Sequence, residues 1–297
     1  MIAAAMIGAG VMGSAIGCRL LEQGCSLSFF DPSPDAGAEL LAAGATRAQS
    51  PADAAQGADF TILSLNNADI VETAVFGTQG VAAGMRRGAL LVDMSSIDPG
   101  RTAAMARRLL AERGAGWVDA PLSGGAPAAR TGTLTLMLGG TESDIATAEP
   151  LLALLSARRT HLGAAGAGQT VKLVNQILCA ANFLSVAEAV RFAEANGIDA
   201  ARIPDALAGG RADSRILQEF MGKMAQRDYS PTGRIDNMLK DLETVQGTAL
   251  ATRTPMPLTG LVTELHRMLV AGGLGPADSA EYMKLFDMGG GGQSSGR

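Results

Sequence analysis

The stretch that decides the fold is MIAAAMIGAGVMGSAIG, residues 1–17. An apolar run over residues 2–7 goes straight into glycines at 8, 10 and 13, and an amphipathic pattern, GSAIGCRLLEQG, continues to Gly24. The run reads as a strand and the pattern after it as a helix closed by Gly24. In such a unit each glycine has a task. The first permits a tight turn, the second lets a pyrophosphate approach the backbone, and the third lets helix and strand pack closely. The helix start offers N–H groups and a positive dipole end to phosphates. The next strand, SLSFFD, ends on Asp31. A carboxylate there accepts hydrogen bonds from both ribose hydroxyls of NAD and repels the extra phosphate of NADP. The plainer alternative is a glycine-rich turn followed by a surface aspartate. Strand, glycines, helix and acid in register favour the dinucleotide, with Gly8, Ala9, Gly10, Val11, Met12, Gly13 and Asp31 as its contacts.

Outward from this unit, short apolar runs keep alternating with helical patterns. PDAGAELLAAGA, over 34–45, reads as a helix ended by Gly44, and DFTILSL (59–65), GALLVDM (88–94) and GWVDAPL (116–122) read as strands. Strands alternating with helices imply crossovers and a parallel sheet covered on both faces. The pattern changes after residue 163. QTVKLVNQILCAANFLSVAEAVRFAEAN, over 169–196, contains neither proline nor glycine. As one helix it spans roughly 40 Å. It is apolar round most of its circumference, as expected of a spine shared between domains or subunits, and Gly197 would close it. Residues 201–287 read as four or five further helices. The expected architecture is an α/β Rossmann-type doubly wound parallel sheet over 1–163, then an all-α domain over 164–288. The long helix joins the two, and 289–297 (GGGGQSSGR) form a flexible tail.

Composition excludes several classes of function. The 297 residues carry a net charge of −5 with no long basic run, which argues against nucleic acid as a partner. Cys18, Cys25 and Cys179 form no CxxC pair, and an odd count does not make a disulfide framework. His161 and His266 stand alone, so no metal site is expected. The first apolar run lacks a basic leader and is broken by glycines, unlike a signal peptide. No stretch of about 20 uncharged apolar residues occurs, so no membrane span is expected. A cytoplasmic protein is the resulting expectation.

Three further segments carry candidate chemistry. In VDAPLSGGAPAAR, Ser123, Gly124 and Gly125 follow a strand. They read either as a plain turn or as a backbone nest with an added hydroxyl, able to bind a small carboxylate. In GAAGAGQTVKLVNQ, Lys172 interrupts the apolar helix near its start, with Asn175 and Gln176 three and four places on along the same face. Lys172 is either a snorkelling side chain or a partly buried amine whose lowered pKa suits proton transfer. In GRIDNMLKDLETV, Lys240 and Asp241 read by default as solvated helix charges.

These pieces, GAGVMG, DAPLSGG, GAGQTVKLVNQ and IDNMLKDL, occur together and in this order in the β-hydroxyacid dehydrogenase family, which residues 1–287 resemble. The resemblance is to 3-hydroxyisobutyrate dehydrogenase-like members and, through the KLxNQ form, to the tartronate semialdehyde (2-hydroxy-3-oxopropionate) reductase branch. It implies NAD-dependent interconversion of a small β-hydroxy acid and its semialdehyde. Lys172 would be the catalytic lysine, and Ser123, Gly124 and Gly125 would hold the substrate carboxylate with help from Asn175 and Gln176. Leu65, Asn66 and Ser96 would line the cofactor cleft, and Lys240 would reach the cofactor from the second domain. Relatives often read LP where this chain has Leu65-Asn66. Arg211 and Arg215 add cationic groups in a segment that varies between relatives. Homodimers or homotetramers are implied by the long apolar helix. Two alternatives stay open: an imine reductase, which shares the architecture but generally lacks the lysine, and a non-catalytic dinucleotide-binding protein.

Overall fold

The computed structural model describes residues 1–287, so the tail expected over 289–297 lies outside the described residues. The chain divides into two compact units, residues 1–172 and residues 173 onward.

The first unit is built on a six-stranded parallel sheet: β1 (Ala3–Ile7), β2 (Ser26–Phe30), β3 (Thr46–Arg47), β4 (Phe60–Leu63), β5 (Leu90–Asp93) and β6 (Gly116–Asp119). The order is β3-β2-β1-β4-β5-β6, so the winding reverses between β1 and β4. Ile7 pairs with Phe30 and Leu63, Leu63 with Asp93, and Asp93 with Asp119, so the carboxyl ends of the strands are level. Both faces are buried. Met6, Phe29, Ile62, Val92 and Val118 point into one apolar layer, and Ile7, Leu63, Leu91 and Trp117 into the other. This two-sided burial is why the strands read as unbroken apolar runs. A fully buried side chain such as Phe29 or Leu91 contributes about 1.5–3 kcal/mol.

The helices of this unit are α1 (Val11–Glu22), α2 (Ala38–Ala42), α3 (Pro51–Ala55), α4 (Ala68–Phe76), α5 (Val81–Gly84), α6 (Pro99–Arg113), α7 (Gly125–Thr131) and α8 (Glu142–Leu155). Polar side chains cap several of them: Asn67 accepts from Ile70 N, Asp98 from Arg101 N and Thr141 from Asp144 N. A second sheet, β7-β8-β9, adds β7 (Leu122–Ser123), β8 (Leu134–Leu138) and β9 (Ser156–His161), with β7 antiparallel and β9 parallel to β8. This sheet corrects the sequence reading of 116–122 as one strand. The chain breaks at Ala120-Pro121, and Leu122 and Ser123 pair with β8 instead. Proline has no N–H to give to a ladder, and the segment changes sheets there.

From Ala167 to Ala195 runs α9, two residues ahead of the sequence-based start. Gly197 adopts a φ of 74° and ends it, with Ile198 N bonding Ala193 O. Within the second unit α9 buries Ala180, Phe183, Leu184, Ala187 and Val190 in one apolar core with Leu217, Phe220, Met224, Leu242 and Tyr282. The other helices of this unit are α10 (Ile203–Leu207), α11 (Arg215–Gln226), α12 (Ile235–Thr252), α13 (Pro257–Leu269) and α14 (Lys284–Asp287). By length and composition alone α9 is apolar enough to cross a membrane, with a mean hydropathy of 1.5. The inner face of α9 is nevertheless that of a core helix.

Candidate active site

The glycine-rich turn stands at the carboxyl end of β1. Gly8 has a φ of 94°, and a Cβ there would lie 2.4 Å from Ser64 O. A Cβ on Gly13 would lie 1.9 Å from Gly8 O, whereas one on Gly10 meets nothing within 4 Å. The first glycine thus serves the turn, the third serves helix packing, and the second faces open space. Gly10 also caps α1 without any side-chain hydrogen bond, and no acid stands in the first turn. Val11 is exposed and Met12 half-buried. A positively polarised helix start beside open space suits a pyrophosphate.

Asp31 folds back on this turn. Its Oδ2 accepts from Ala9 N at 2.8 Å and its Oδ1 from Ser33 N at 2.9 Å. An ionised carboxylate offers about four acceptor positions, so two remain for ribose hydroxyls. Arg47, a residue to which the sequence drew no attention, braces the same loop. It donates to Ser33 O at 3.3 Å, Pro34 O at 3.1 Å and Ala36 O, and lies over the Phe29 ring at 5.0 Å. A cavity of about 470 Å³ opens where the strand order reverses, walled by Gly8, Phe30, Pro32, Leu65, Ile70 and Thr73 among others. Ligands of doubly wound sheets bind at this reversal. Its far wall belongs to α4, which begins right after the loop of Leu65 and Asn66. That loop is tied to the next by Leu65 N, which donates to Ser95 Oγ at 3.0 Å. Asn66 is exposed and Ser96 half-buried beside Ser95. An apolar slot that includes Gly8, beside a glycine turn whose Ala9 N is held by Asp31, fits a dinucleotide.

The second constellation lies past β6. Ser123 ends β7, and Gly124 and Gly125 take φ values of 119° and 66°. Gly124 is held to glycine twice over, since a Cβ there would also lie 2.6 Å from Ala128 Cβ. Lys172, in the second turn of α9, donates from Nζ to Leu122 O at 2.9 Å. The Lys172 amine therefore meets the backbone one residue before Ser123 and its glycine turn, although Ser123 and Lys172 are 49 residues apart in sequence.

The comparisons bear on the fold, the family and the coenzyme. Residues 3–163 match the family described as the NAD binding domain of 6-phosphogluconate dehydrogenase. Residues 166–286 match the family described as NAD-binding of NADP-dependent 3-hydroxyisobutyrate dehydrogenase. The chain is 35% identical to 2-hydroxy-3-oxopropionate reductase of Escherichia coli (strain K12), over 95% of this chain and 96% of that one. The chain belongs to the β-hydroxyacid dehydrogenase family. It is also 36% identical to an NAD-dependent L-serine dehydrogenase of Pseudomonas aeruginosa, over 95% of this chain and 97% of that one. A solved Mycobacterium tuberculosis 3-hydroxyisobutyrate dehydrogenase with L-serine superposes with a TM-score of 0.88 at 27% identity, covering 96% of this chain and 99% of that one. An imine reductase from Pseudomonas sp. has a TM-score of 0.63 at 20% identity, a likeness of fold alone. The protein is thus an NAD-dependent oxidoreductase of the hydroxyacid dehydrogenase type.

As in the family resemblance, Asn175 and Gln176 follow Lys172 along α9, but their hydrogen bonds run into the second unit's own structure. Asn175 Nδ2 donates to Gln176 Oε1 at 2.9 Å, and Gln176 Nε2 donates to Asp241 Oδ2 at 2.6 Å. Lys240 pairs with the other oxygen of Asp241 at 3.1 Å. Asp241, read from sequence as a solvated charge, is 5% exposed and joins three of the candidate residues into one chain. Sequence alone does not reveal this burial, because Gln176 and Asp241 are 65 residues apart and only the fold pairs them. Of the flagged cations, Arg215 pairs with Glu219 at 2.7 Å on the surface, and Arg211 is exposed.

Two buried acids lie at the level ends of β5 and β6. Asp119 accepts from Gly166 N at 2.8 Å and Gln169 N at 2.9 Å. Burial raises its pKa, and those N–H groups partly offset the rise. Asp93 is wholly buried. Its Oδ1 accepts from Ser95 N at 3.0 Å, while its Oδ2 has no partner among the described residues. Burial pushes its pKa up to about 7, against the lowering pull of Ser95 and with a smaller push from Asp119.

Proposed function

We propose that this dehydrogenase interconverts a small β-hydroxy acid and its semialdehyde, with 2-hydroxy-3-oxopropionate as its first candidate substrate. The observation that carries the reading is the 2.9 Å contact between Lys172 Nζ and Leu122 O, one residue before Ser123-Gly124-Gly125. In this reading the substrate carboxylate docks on the Ser123 hydroxyl and the backbone of Gly124 and Gly125. Lys172 leaves the Leu122 carbonyl to donate a proton to the substrate oxygen during reduction, and takes one from the hydroxyl during oxidation. Such proton transfer is worth about 10²–10⁴-fold in rate. NADH, when bound at the glycine turn, supplies the hydride, and NAD accepts it. Asp31 selects NAD through its remaining acceptor positions, and Leu65, Asn66, Ser96 and Lys240 complete the coenzyme contacts. Asn175 and Gln176 set the substrate side through their link to Asp241.

The enzyme acts in the cytoplasm as a homodimer or homotetramer. Support for assembly comes from Val174, Leu178 and Phe192 of α9, which are 48%, 66% and 73% exposed. A panel assay tests the substrate assignment: 2-hydroxy-3-oxopropionate with NADH, and L-serine, L-threonate and 3-hydroxyisobutyrate with NAD. Fast turnover of 2-hydroxy-3-oxopropionate is expected. Turnover of cyclic imines with none of these acids would favour the imine-reductase alternative.

A further inference from the structure

We infer that Asp119 and Gln169 are positioning residues that set Lys172 in place. The inference rests on the reading of Lys172 as the proton donor, and it concerns how the helix start beneath that lysine is held. An α-helix begins with four N–H groups that lack intrahelical partners. The residues leading into α9, Gly163-Ala164-Ala165-Gly166, include no Ser, Thr, Asp or Asn to cap it. The cap comes instead from Asp119 at the end of β6, through Gly166 N and Gln169 N. Hydrogen bonds to an ionised acceptor are roughly twice as strong as neutral ones, and a negative charge at a helix N-terminus is favourable.

Gln169 then ties the same turn to the loop after β5. It is fully buried, its Oε1 accepts from Ile97 N at 3.1 Å, and its Nε2 donates to Ser95 O at 2.8 Å. The segment GAGQ fits this arrangement. A Cβ on Gly166 would lie 2.6 Å from Pro99 O, and one on Gly168 would lie 2.3 Å from Met137 O and 2.8 Å from Asp119 Oδ2. Both glycines let the helix start press onto the strand ends. Lys172 follows three residues after Gln169, and its Nζ reaches Leu122 O, three residues after Asp119. The root of the helix is thus fixed by Asp119 and the tip of the lysine by the chain just downstream of it. Ser96, the candidate coenzyme contact, lies between the two backbone groups that Gln169 holds. One buried knot therefore references both the lysine and the coenzyme loop to the sheet. A displacement of about 1 Å in such a group costs on the order of 10²-fold in rate.

The test uses the full chain with NADH and 2-hydroxy-3-oxopropionate. Asp119→Asn removes the charge at constant shape, and Gln169→Met removes both loop bonds and keeps the length. Each is also combined with Lys172→Ala, and folding and NADH-binding stoichiometry are measured for every variant. At saturating NADH each single variant is expected to lose about 10–100-fold in kcat with little change in the KM for the acid and to show a larger solvent deuterium isotope effect; Asp119→Asn should keep its Kd for NADH within about 2-fold of wild type, and Gln169→Met, which frees the loop on both sides of Ser96, should raise it by about 2–10-fold. A residue that acts through another adds nothing once that other is gone. Either change made in the Lys172→Ala background should therefore cost less than about 2-fold more. Unchanged kcat in the folded variants, or losses that multiply with that of Lys172→Ala, would overturn the inference and leave Lys172 as proton donor untouched. If one variant does not fold, the other decides by the same measures. Full activity in Lys172→Ala alone would instead remove the reading on which the inference rests.

Discussion

Replacing Asp93 with asparagine should change how stability depends on pH, and the size of the change follows from the burial of the carboxyl. Its pKa is pushed from the ordinary 3.8 to about 7. Between those values the folded chain keeps a proton that the unfolded chain has released. The folded state then binds more protons, so the unfolding free energy falls as pH rises. The contribution is fully present below pH 3.8 and is lost by about pH 7. Each pH unit inside that window costs about 1.4 kcal/mol. From pH 5 to pH 8 the loss amounts to about 2–3 kcal/mol. Asp93→Asn keeps the acceptor for Ser95 N and removes the titration. Urea denaturation followed by fluorescence of Trp117 reports on this unit, because Trp117 is the chain's one tryptophan and lies buried in β6. Relative to wild type, the variant should gain about 2–3 kcal/mol between pH 5 and pH 8. A wild-type-to-variant difference that stays constant over that range would refute the reasoning.

Three further outcomes are expected. Gly13→Ala should destabilise the fold and abolish NADH binding, because its Cβ would lie 1.9 Å from Gly8 O, whereas Gly10→Ala should melt like wild type and lose NADH affinity, as thermal melting with and without NADH will report. Asp31→Ala should raise the Kd for NADH about 10-fold, the worth of one charge-assisted hydrogen bond at about 1.4 kcal/mol, and narrow its preference over NADPH; fluorescence titration measures both. Tyr282→Phe strips the buried partner from His266 Nε2, now 2.7 Å away, and should cost the helical unit about 1–3 kcal/mol in chemical denaturation.

The parts of this fold legible in the sequence are those whose signal is local. The β1 run, the three glycines and Asp31 are adjacent or one crossover apart, and each reports its own conformation. The long helix likewise declares itself through the run 169–196, which lacks proline and glycine. The second sheet escaped notice because β9, SARRTH, is a mostly exposed edge strand with no apolar period, and β7 is two residues long. The holding groups escaped for another reason. Asp119 meets Gly166 across 47 residues and Gln176 meets Asp241 across 65. An acid in such a pairing looks in sequence like any other acid. The glycines of GAGQ gave the one local hint of close approach, since a helix start seldom carries two glycines without a neighbour pressing on it.

The most direct measurement is the turnover of Lys172→Ala with NADH and 2-hydroxy-3-oxopropionate, made beside a direct titration of NADH binding. The expected result is a fall in kcat of about 10²–10⁴-fold, with the Kd for NADH within about 2-fold of wild type. Undiminished turnover, or loss of NADH binding together with turnover, would contradict a proton-donating role for this amine.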